Sequence, residues 1–249
     1  MKEKYQIDIT EVQKWINGYK CNFFSSPCYR NHMAIRNHLT GIFKQYSKDK
    51  ILDGKALSNV FFPTNLRQNF KVFISHSGNE DDKKIVKSLA DILERQYDTP
   101  CFVDWMVWGD IKDLQEIMDE KFAVLSRDKN GKILSYNYQA IKYTTAHTHA
   151  MLSMALLDMI DQCDICLFIK SKNSTLPKAN FGDVTTLSPW IYEEVSYMNH
   201  VEKTRQFFSE GIGQVPKISH PLDLNGFKEL TADRLSTLLH GDTFRFIDK

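Results

Sequence analysis

The sequence predicts an α/β fold with a mainly parallel sheet, and two observations lead to this prediction. Three short apolar runs have the character of buried strands. Between them lie longer segments whose apolar residues recur at helical spacing. Strands that alternate with helices in this way are typical of parallel sheets. The three strand segments are "FKVFIS" (70–75), "TPCFVD" (99–104) and "CDICLFIK" (163–170).

The remaining elements follow from the same patterns. Residues 1–65 have helical spacing in "ITEVQKWI" and "MAIRNHLTGIFKQY", which predicts an N-terminal helical extension. The main domain then spans 66–249. It contains an insertion around 113–148, with the exposed segment "SRDKNGKILSYN", and a C-terminal extension after about 210. In the C-terminal part, "VPKIS" and "TFRFID" are further candidate strands.

Composition excludes several classes of protein. The 249 residues carry a formal net charge of +1, so no overall field favours nucleic acid. No apolar run approaches the roughly 18 residues that a membrane span needs, and the N-terminus lacks a signal-peptide pattern. Five cysteines at irregular spacing favour a reduced, cytoplasmic protein. We expect no membrane partner, no nucleic-acid partner and no bound metal.

The candidate ligand site lies at the carboxyl ends of the predicted strands, where open parallel sheets bind ligands. The loop after residue 75 contains Ser75, His76 and Ser77, and the loop after residue 170 contains Ser171, Lys172 and Asn173. We expect Asp104 to end the second strand. Trp105 and Trp108 follow it in the next loop.

The segment "LSPWIYEEV" (187–195) contains two adjacent glutamates with different predicted environments. Serine followed by proline is a good helix start. On a helical wheel with Trp190 at 0°, the apolar arc runs from about 340° to 140°. Glu194 lies within this arc and Glu193 lies outside it. A buried carboxylate needs a partner or a task, so a structural salt bridge, a cap or a catalytic role is open for Glu194.

Four segments in order resemble TIR (Toll/interleukin-1 receptor) domains, especially bacterial ones. They are "KVFISHSGNEDDKKIVKSLADILE", "FVDWMVWGD", "LLDMIDQCDICLFIKSKNS" and "SPWIYEEV". Enzymatic TIR domains place a glutamate four residues after a tryptophan, which here selects Glu194 after Trp190. The resemblance implies a flavodoxin-like fold with a five-stranded sheet.

The resemblance also implies an activity. Many bacterial members cleave the nicotinamide–ribose bond of NAD+, which is a substrate rather than a cofactor, to give ADP-ribose or a cyclic or conjugated product. Glu194 would be the catalytic carboxylate. Substrate-binding roles would fall to seven residues: Ser75, His76, Ser77, Asp104, Trp105, Trp108 and Trp190. For these, loop hydrogen bonding, capping, turn stabilisation and packing within the domain are the alternatives.

The implied setting is Thoeris-like antiviral defence. There a TIR protein forms homo-oligomers through TIR–TIR contacts and signals to a separate effector protein through a nucleotide product. Two other functions stay open. One is a non-enzymatic adaptor, with the tryptophans of "DWMVWGD" as interface anchors. The other is an enzyme like the nucleoside deoxyribosyltransferases, which would use the same glutamate on nucleosides.

Overall fold

A computed structural model describes residues 3–19, 21, 33, 37, 70–108, 111–176, 184–200 and 220–240. The strands in these ranges are β1 (Glu3–Asp8), β2 (Val72–Ser75), β3 (Cys101–Phe102), β4 (Val124–Arg127), β5 (Ile133–Tyr136), β6 (Ile165–Lys170), β7 (Thr185–Thr186), β8 (His220–Pro221) and β9 (Lys228–Leu230). The helices are α1 (Ile9–Trp15), α2 (Glu80–Tyr97), α3 (Asp104–Trp108), α4 (Ile111–Phe122), α5 (Tyr138–Gln162), α6 (Pro189–His200) and α7 (Ala232–His240).

The chain divides into two compact units. Of the described residues, the first unit takes those within 1–28, 69–103 and 159–249, and the second takes those within 29–68 and 104–158. The first unit therefore contains the main sheet with α1, α2, α6 and α7. The second contains α3, α4, the β4–β5 hairpin and most of α5.

The main sheet has five parallel strands in the order β3-β2-β6-β1-β9. The predicted α/β, flavodoxin-like class with a five-stranded parallel sheet is confirmed. If counting starts at β2, the first three strands stand in the order 2-1-3 that is typical of flavodoxin-like folds. The fourth place is taken by β1, from the start of the chain, and the fifth by β9.

The position of β1 corrects one expectation. The N-terminal helical extension is not confirmed, because residues 3–8 form a strand inside the sheet and helix begins only at Ile9. Asp8 caps this helix by accepting a hydrogen bond from the backbone N–H of Thr10 at 2.9 Å. The predicted strands at 70–75, 99–104 and 163–170 are confirmed in shorter form as β2, β3 and β6. The candidates "VPKIS" and "TFRFID" lie outside the described residues.

The parallel register determines which side chains share a face of the sheet. Side chains of residues paired across parallel strands point the same way. Ser75, Phe168, Gln6 and Glu229 are paired in one such row across β2, β6, β1 and β9. Helix α6 packs on this face, since it contacts β2 and its Asn199 accepts a hydrogen bond from buried Lys4 at 3.2 Å.

The core of the first unit is built from the sheet and its helices. Phe73, Phe102 and Phe168 are fully buried, and the rings of Phe73 and Phe102 stack with centroids 5.6 Å apart. Helix α2 begins at the cap residue Asn79 and ends before Asp98, whose φ of 47° lies in the left-handed region. The cap at Asn79 and the left-handed residue Asp98 therefore define where α2 begins and ends.

The second unit contains the predicted exposed insertion as an antiparallel hairpin, β4–β5. Its turn is stabilised by Asp128, whose Oδ1 accepts from the backbone N–H groups of Asn130 and Lys132 at 2.8 Å each. Gly131 completes the turn with φ of 82°, which suits glycine. In the parts of the chain that the structure describes, no helix is long and apolar enough to span a membrane.

Candidate functional site

The candidate site lies where the order of the sheet reverses. The chain passes from β2 to β3 on one side and then returns to β6 on the other side of β2. In open α/β sheets, ligands bind at such a switch point, in the crevice outside the carboxyl ends of the strands. Two serines lie at this switch point: Ser75, the last residue of β2, and Ser171, which directly follows β6.

Helix α6 carries the glutamate that the sequence singles out. The helix begins at Pro189, and the preceding Ser188 caps it, because the Ser188 hydroxyl accepts a hydrogen bond from the Ile191 backbone N–H at 3.3 Å. The Ser188 backbone N–H is itself bound by the Thr186 hydroxyl at 3.1 Å. The predicted helix start at "SPW" is therefore confirmed.

The buried face of α6 includes Glu194, as the helical wheel predicts. The buried residues of this helix are Ile191, Glu194, Val195 and Met198. Trp190, placed at 0° on the wheel, is half-buried. The buried face of α6 is therefore narrower than the predicted arc, because it does not include Trp190.

Glu193 and Glu194 have different surroundings. Glu194 is only 2% exposed. Glu193 is half-buried and accepts a hydrogen bond from the hydroxyl of Tyr197, one turn further along α6, at 2.8 Å. Glu193 thus has a local partner on its own helix rather than being only a solvated charge, and it is a natural comparison for Glu194 in experiments.

The central contact of the site joins β2 to α6. The Ser75 hydroxyl donates a hydrogen bond to Oε2 of Glu194 over 2.5 Å, and Ser75 is fully buried. A hydroxyl donor to a carboxylate is a strong, charge-assisted hydrogen bond. It holds one carboxylate oxygen at the carboxyl end of β2, beside the switch-point crevice.

A second buried carboxylate lies at the same edge of the sheet. Asp82, in the first turn of α2, is 5% exposed. Its Oδ2 accepts a hydrogen bond from the Ser171 hydroxyl at 2.5 Å, and its Oδ1 accepts from the Asn173 side-chain amide at 3.0 Å. We call Ser75, Asp82, Ser171, Asn173 and Glu194 the switch-point cluster. It contains two serine–carboxylate hydrogen bonds, one at the carboxyl end of each of the adjacent strands β2 and β6.

Asp82 was not among the predicted site residues, yet the sequence contains the signal for it. Asp82 lies four residues before Val86 and seven before Leu89, and both of those residues are buried. A carboxylate in line with an apolar helix stripe is the same signal that identifies Glu194.

The other predicted residues of the first unit take varied positions. His76 and Ser77 are buried in the loop after β2. The Ser77 hydroxyl accepts a hydrogen bond from the Asn79 backbone N–H at 3.0 Å, which is a loop-stabilising role. Trp190 lies one helical turn before Glu194 on α6.

The three predicted residues of the second unit lie on α3. Asp104 does not end a strand, because β3 stops at Phe102 and Asp104 is the first residue of this short helix. Asp104 and Trp105 are half-buried, and Trp108 is the last residue of α3. The Trp108 side chain lies outside the described part of the structure.

The N-terminus of α2 is already supplied with negative charge. Its first turn contains Glu80, Asp81 and Asp82, after the cap residue Asn79. A hydrogen bond from Lys83 holds the pKa of Glu80 below its ordinary value, so this carboxyl stays ionised. Carboxylates at a helix N-terminus compensate its dipole, which makes this end of α2 a poor place for a substrate phosphate.

The arrangement suits reactions that develop positive charge. A buried carboxylate of fixed orientation stabilises such charge much more strongly than a solvated carboxylate does. The structure groups no three His, Cys, Asp or Glu side chains closely enough to bind a metal ion within the described ranges. The groups that the switch-point cluster contains are two carboxylates, two hydroxyls and one amide.

Comparisons with protein-family models, with curated proteins and with solved structures gave no match to this chain.

Proposed function

We propose that this protein cleaves the bond between nicotinamide and ribose in NAD+, with Glu194 as the catalytic carboxylate. The observation that supports this most directly is the hydrogen bond from Ser75 to Glu194, buried at the switch point of the sheet. Burying a carboxylate lowers stability unless hydrogen bonds or charged partners compensate for the lost hydration. A carboxylate that is buried nevertheless is a candidate for a functional role. Its location at the ligand-binding edge of the fold favours a function.

The reaction needs one well-placed carboxylate. The bond between the ribose C1′ and the pyridinium nitrogen breaks, and its electron pair goes to nicotinamide, which leaves as a neutral molecule. The ribose is left with oxocarbenium character, and the Glu194 carboxylate stabilises that positive charge, as carboxylates do in glycoside hydrolysis. Because the leaving group is neutral, no strong general acid is required.

The product depends on the nucleophile that then reaches C1′. Water adds to C1′ and loses a proton, which gives ADP-ribose. A nucleophilic atom of the same molecule gives a cyclic product, and another molecule gives a conjugate. In each case Ser75 keeps the carboxylate oriented towards the reacting carbon through its hydrogen bond to Oε2.

The wider role follows from the resemblance to TIR domains and belongs to the same proposal. The protein would act in the cytoplasm as a homo-oligomer in antiviral defence. It would either deplete NAD+ or produce a nucleotide signal for a separate effector protein. Activity should then rise with protein concentration, since association would complete the active assembly.

The test is release of nicotinamide from NAD+, followed by chromatography over a wide range of protein concentration. We expect turnover by the wild type and a loss of at least about 100-fold in Glu194→Gln, the usual scale for removing one stabilising group. The matched control is Glu193→Gln, which changes the neighbouring carboxylate in the same way. We expect it to stay within about threefold of the wild type, as for most substitutions away from a site.

The contrary outcomes are distinct. Full turnover in Glu194→Gln would refute the assignment of this residue. Absence of nicotinamide release at every concentration, together with self-association in light scattering, would indicate an adaptor. Transfer of a deoxyribosyl group between bases, without cleavage of NAD+, would indicate a nucleoside enzyme.

A further inference from the structure

The loop after β6 is organised around one hydroxyl group. The Ser171 hydroxyl accepts hydrogen bonds from the backbone N–H groups of Asn173 and Ser174, at 3.1 Å each. The Ser174 hydroxyl in turn accepts from the Ser171 backbone N–H at 2.8 Å and donates to the carbonyl of Ile169 at 3.1 Å. Residues 171–174 thus form a compact turn, and its shape depends on the orientation of the Ser171 hydroxyl.

Asp82 sets that orientation from another element. Since the Ser171 oxygen accepts two hydrogen bonds, its single proton needs an acceptor, and Oδ2 of Asp82 supplies one at 2.5 Å. The second oxygen of Asp82 binds the Asn173 side-chain amide. Both oxygens therefore hold the same loop, which ties it to the first turn of α2 across the switch point.

The dipole of α2 favours a carboxylate in its first turn, but it does not explain why Asp82 is buried and bonded to two groups of one loop. Within the described ranges, no salt bridge involves Asp82, and its bonds go to an uncharged hydroxyl and an uncharged amide. Burying a carboxylate with only neutral donors as partners lowers stability. Apolar residues packed in the same space often give a protein that is equally stable or more stable. What the carboxylate provides is a strong, directional hold on two specific groups of the loop.

The loop that Asp82 holds bounds the crevice in which ligands of this fold class bind. Loops that follow the two strands on either side of a switch point form its walls. Ser75 and Glu194 lie buried beside the first of these loops, and residues 171–174 form the second. Lys172 and Asn173 are exposed on this second wall, so they are available to a ligand.

We propose that Asp82 is a positioning residue for substrate binding, which fixes the loop at 171–174 as the wall of the NAD+ site opposite Ser75 and Glu194. This proposal rests on the proposed cleavage of NAD+. Asp82 itself does not touch the substrate, because both of its oxygens bind the loop. Its removal should therefore weaken the binding of NAD+ more than it slows the chemical step at Glu194.

The experiment compares three variants by steady-state kinetics of nicotinamide release. We expect Asp82→Ala to raise KM by about tenfold or more while kcat stays within about threefold, because the loop is displaced but Glu194 and Ser75 are intact. Asp82→Asn should restore most of the affinity. An asparagine has the same shape: its amide oxygen can accept from the Ser171 hydroxyl, and its NH2 group can donate to the Asn173 side-chain oxygen once that exposed amide turns over.

The control is Asp81→Ala, the preceding carboxylate of the same helical turn, which is exposed and pairs with Lys84 at 3.0 Å. It should leave KM unchanged. An unaltered KM in Asp82→Ala would overturn the proposal, and so would a lower kcat at constant KM, which indicates a merely smaller folded fraction. A defect in Asp82→Asn as large as that in Asp82→Ala would also overturn it, since a positioning role needs shape and hydrogen bonds rather than charge.

Direct binding separates this proposal from the proposed function. NAD+ is titrated by calorimetry into Glu194→Gln, with and without Asp82→Ala. Weaker binding in the double variant supports the positioning role even if the wild type releases no nicotinamide, a result that would refute only the cleavage. Equal affinities would overturn the positioning role alone, and absence of NAD+ binding in every variant and in the wild type would overturn both.

Discussion

The hydrogen bond between Ser75 and Glu194 can be tested without any assumption about activity. In Ser75→Ala, a fully buried donor is lost while the carboxylate, only 2% exposed, remains. Hydrogen bonds to charged groups contribute about 1.5–3 kcal/mol to stability, compared with about 0.5–1.5 kcal/mol for neutral ones. We therefore expect Ser75→Ala to lower the free energy of unfolding of the first unit by about 1.5–3 kcal/mol.

The control is Ser77→Ala, two residues further along the same loop. Its hydroxyl is also buried, but it accepts a neutral hydrogen bond from the Asn79 backbone at 3.0 Å. We expect this variant to lose only about 0.5–1.5 kcal/mol. The two variants remove the same atom from neighbouring buried sites, so their difference isolates the effect of the charged partner.

Because the chain contains two compact units, unfolding of the whole chain is a poor readout for one of them. Amide hydrogen exchange of β6, in the middle of the main sheet, reports the stability of the first unit directly. A double-mutant cycle with Glu194→Ala, which removes the acceptor, then gives the coupling between residues 75 and 194, which we expect to exceed about 0.5 kcal/mol. A coupling below about 0.3 kcal/mol, or an equal loss in Ser77→Ala, would refute the importance of this bond.

Two further predictions concern other parts of the first unit. Burial, followed by the hydrogen bond that its hydroxyl donates to Asp91, raises the pKa of Tyr19 from 10.0 to about 12. Its contribution to stability is therefore complete below pH 10 and is lost as pH rises to 12. Tyr19→Phe should flatten this alkaline decline in urea unfolding followed by a probe within the first unit, whereas exposed Tyr143→Phe should not. Ser188→Ala should cost about 1 kcal/mol by removing the cap of α6, and Ser188→Gly only a few tenths, measured by hydrogen exchange of α6.

The strands of the sheet were predictable to different degrees, for physical reasons. β6 is the central strand, β2 is its neighbour and β3 is an edge strand, and all three consist mainly of buried apolar residues, so their sequence reveals burial. β1 has the sequence "EKYQID", yet Lys4 and Gln6 are both buried under α6. Lys4 is accommodated by Asn199 and lies 5.7 Å from the centre of the Phe227 ring. Partners so distant in sequence cannot be inferred from a local pattern.

The site residues show what a helical wheel can and cannot reveal. The rule that identifies Glu194, a carboxylate in line with an apolar stripe, also identifies Asp82 and Asp91 on α2. Asp91 is 1% exposed and binds the Tyr19 hydroxyl and the Arg95 guanidinium, each at 2.7 Å. It lies within a set of structural contacts away from the crevice. Periodicity therefore predicts that a side chain is buried. Whether a buried carboxylate is a candidate for function depends on its distance from the carboxyl ends of the strands, where ligands bind.

This distinction gives a last prediction, on the stability of Glu194→Gln. Glutamine has nearly the shape of glutamate and still accepts a hydrogen bond from Ser75, while the cost of burying a charge disappears. If the carboxylate is kept for chemistry, the variant should be as stable as the wild type or more stable by about 0.5–2 kcal/mol. Functional groups of this kind commonly reduce stability where they are buried.

A structural role for Glu194 predicts the opposite sign. If the charge anchors α6 to the sheet, its loss weakens the charge-assisted hydrogen bond from Ser75 and should cost about 1 kcal/mol or more. Hydrogen exchange of α6 and β6 in Glu194→Gln measures this sign directly, with Asp91→Asn as the reference for a carboxylate bound to Arg95. We expect Asp91→Asn to destabilise the first unit and Glu194→Gln to leave it intact. Equal destabilisation by both would show that Glu194 is a structural carboxylate, and the proposed catalytic role would lose its physical basis.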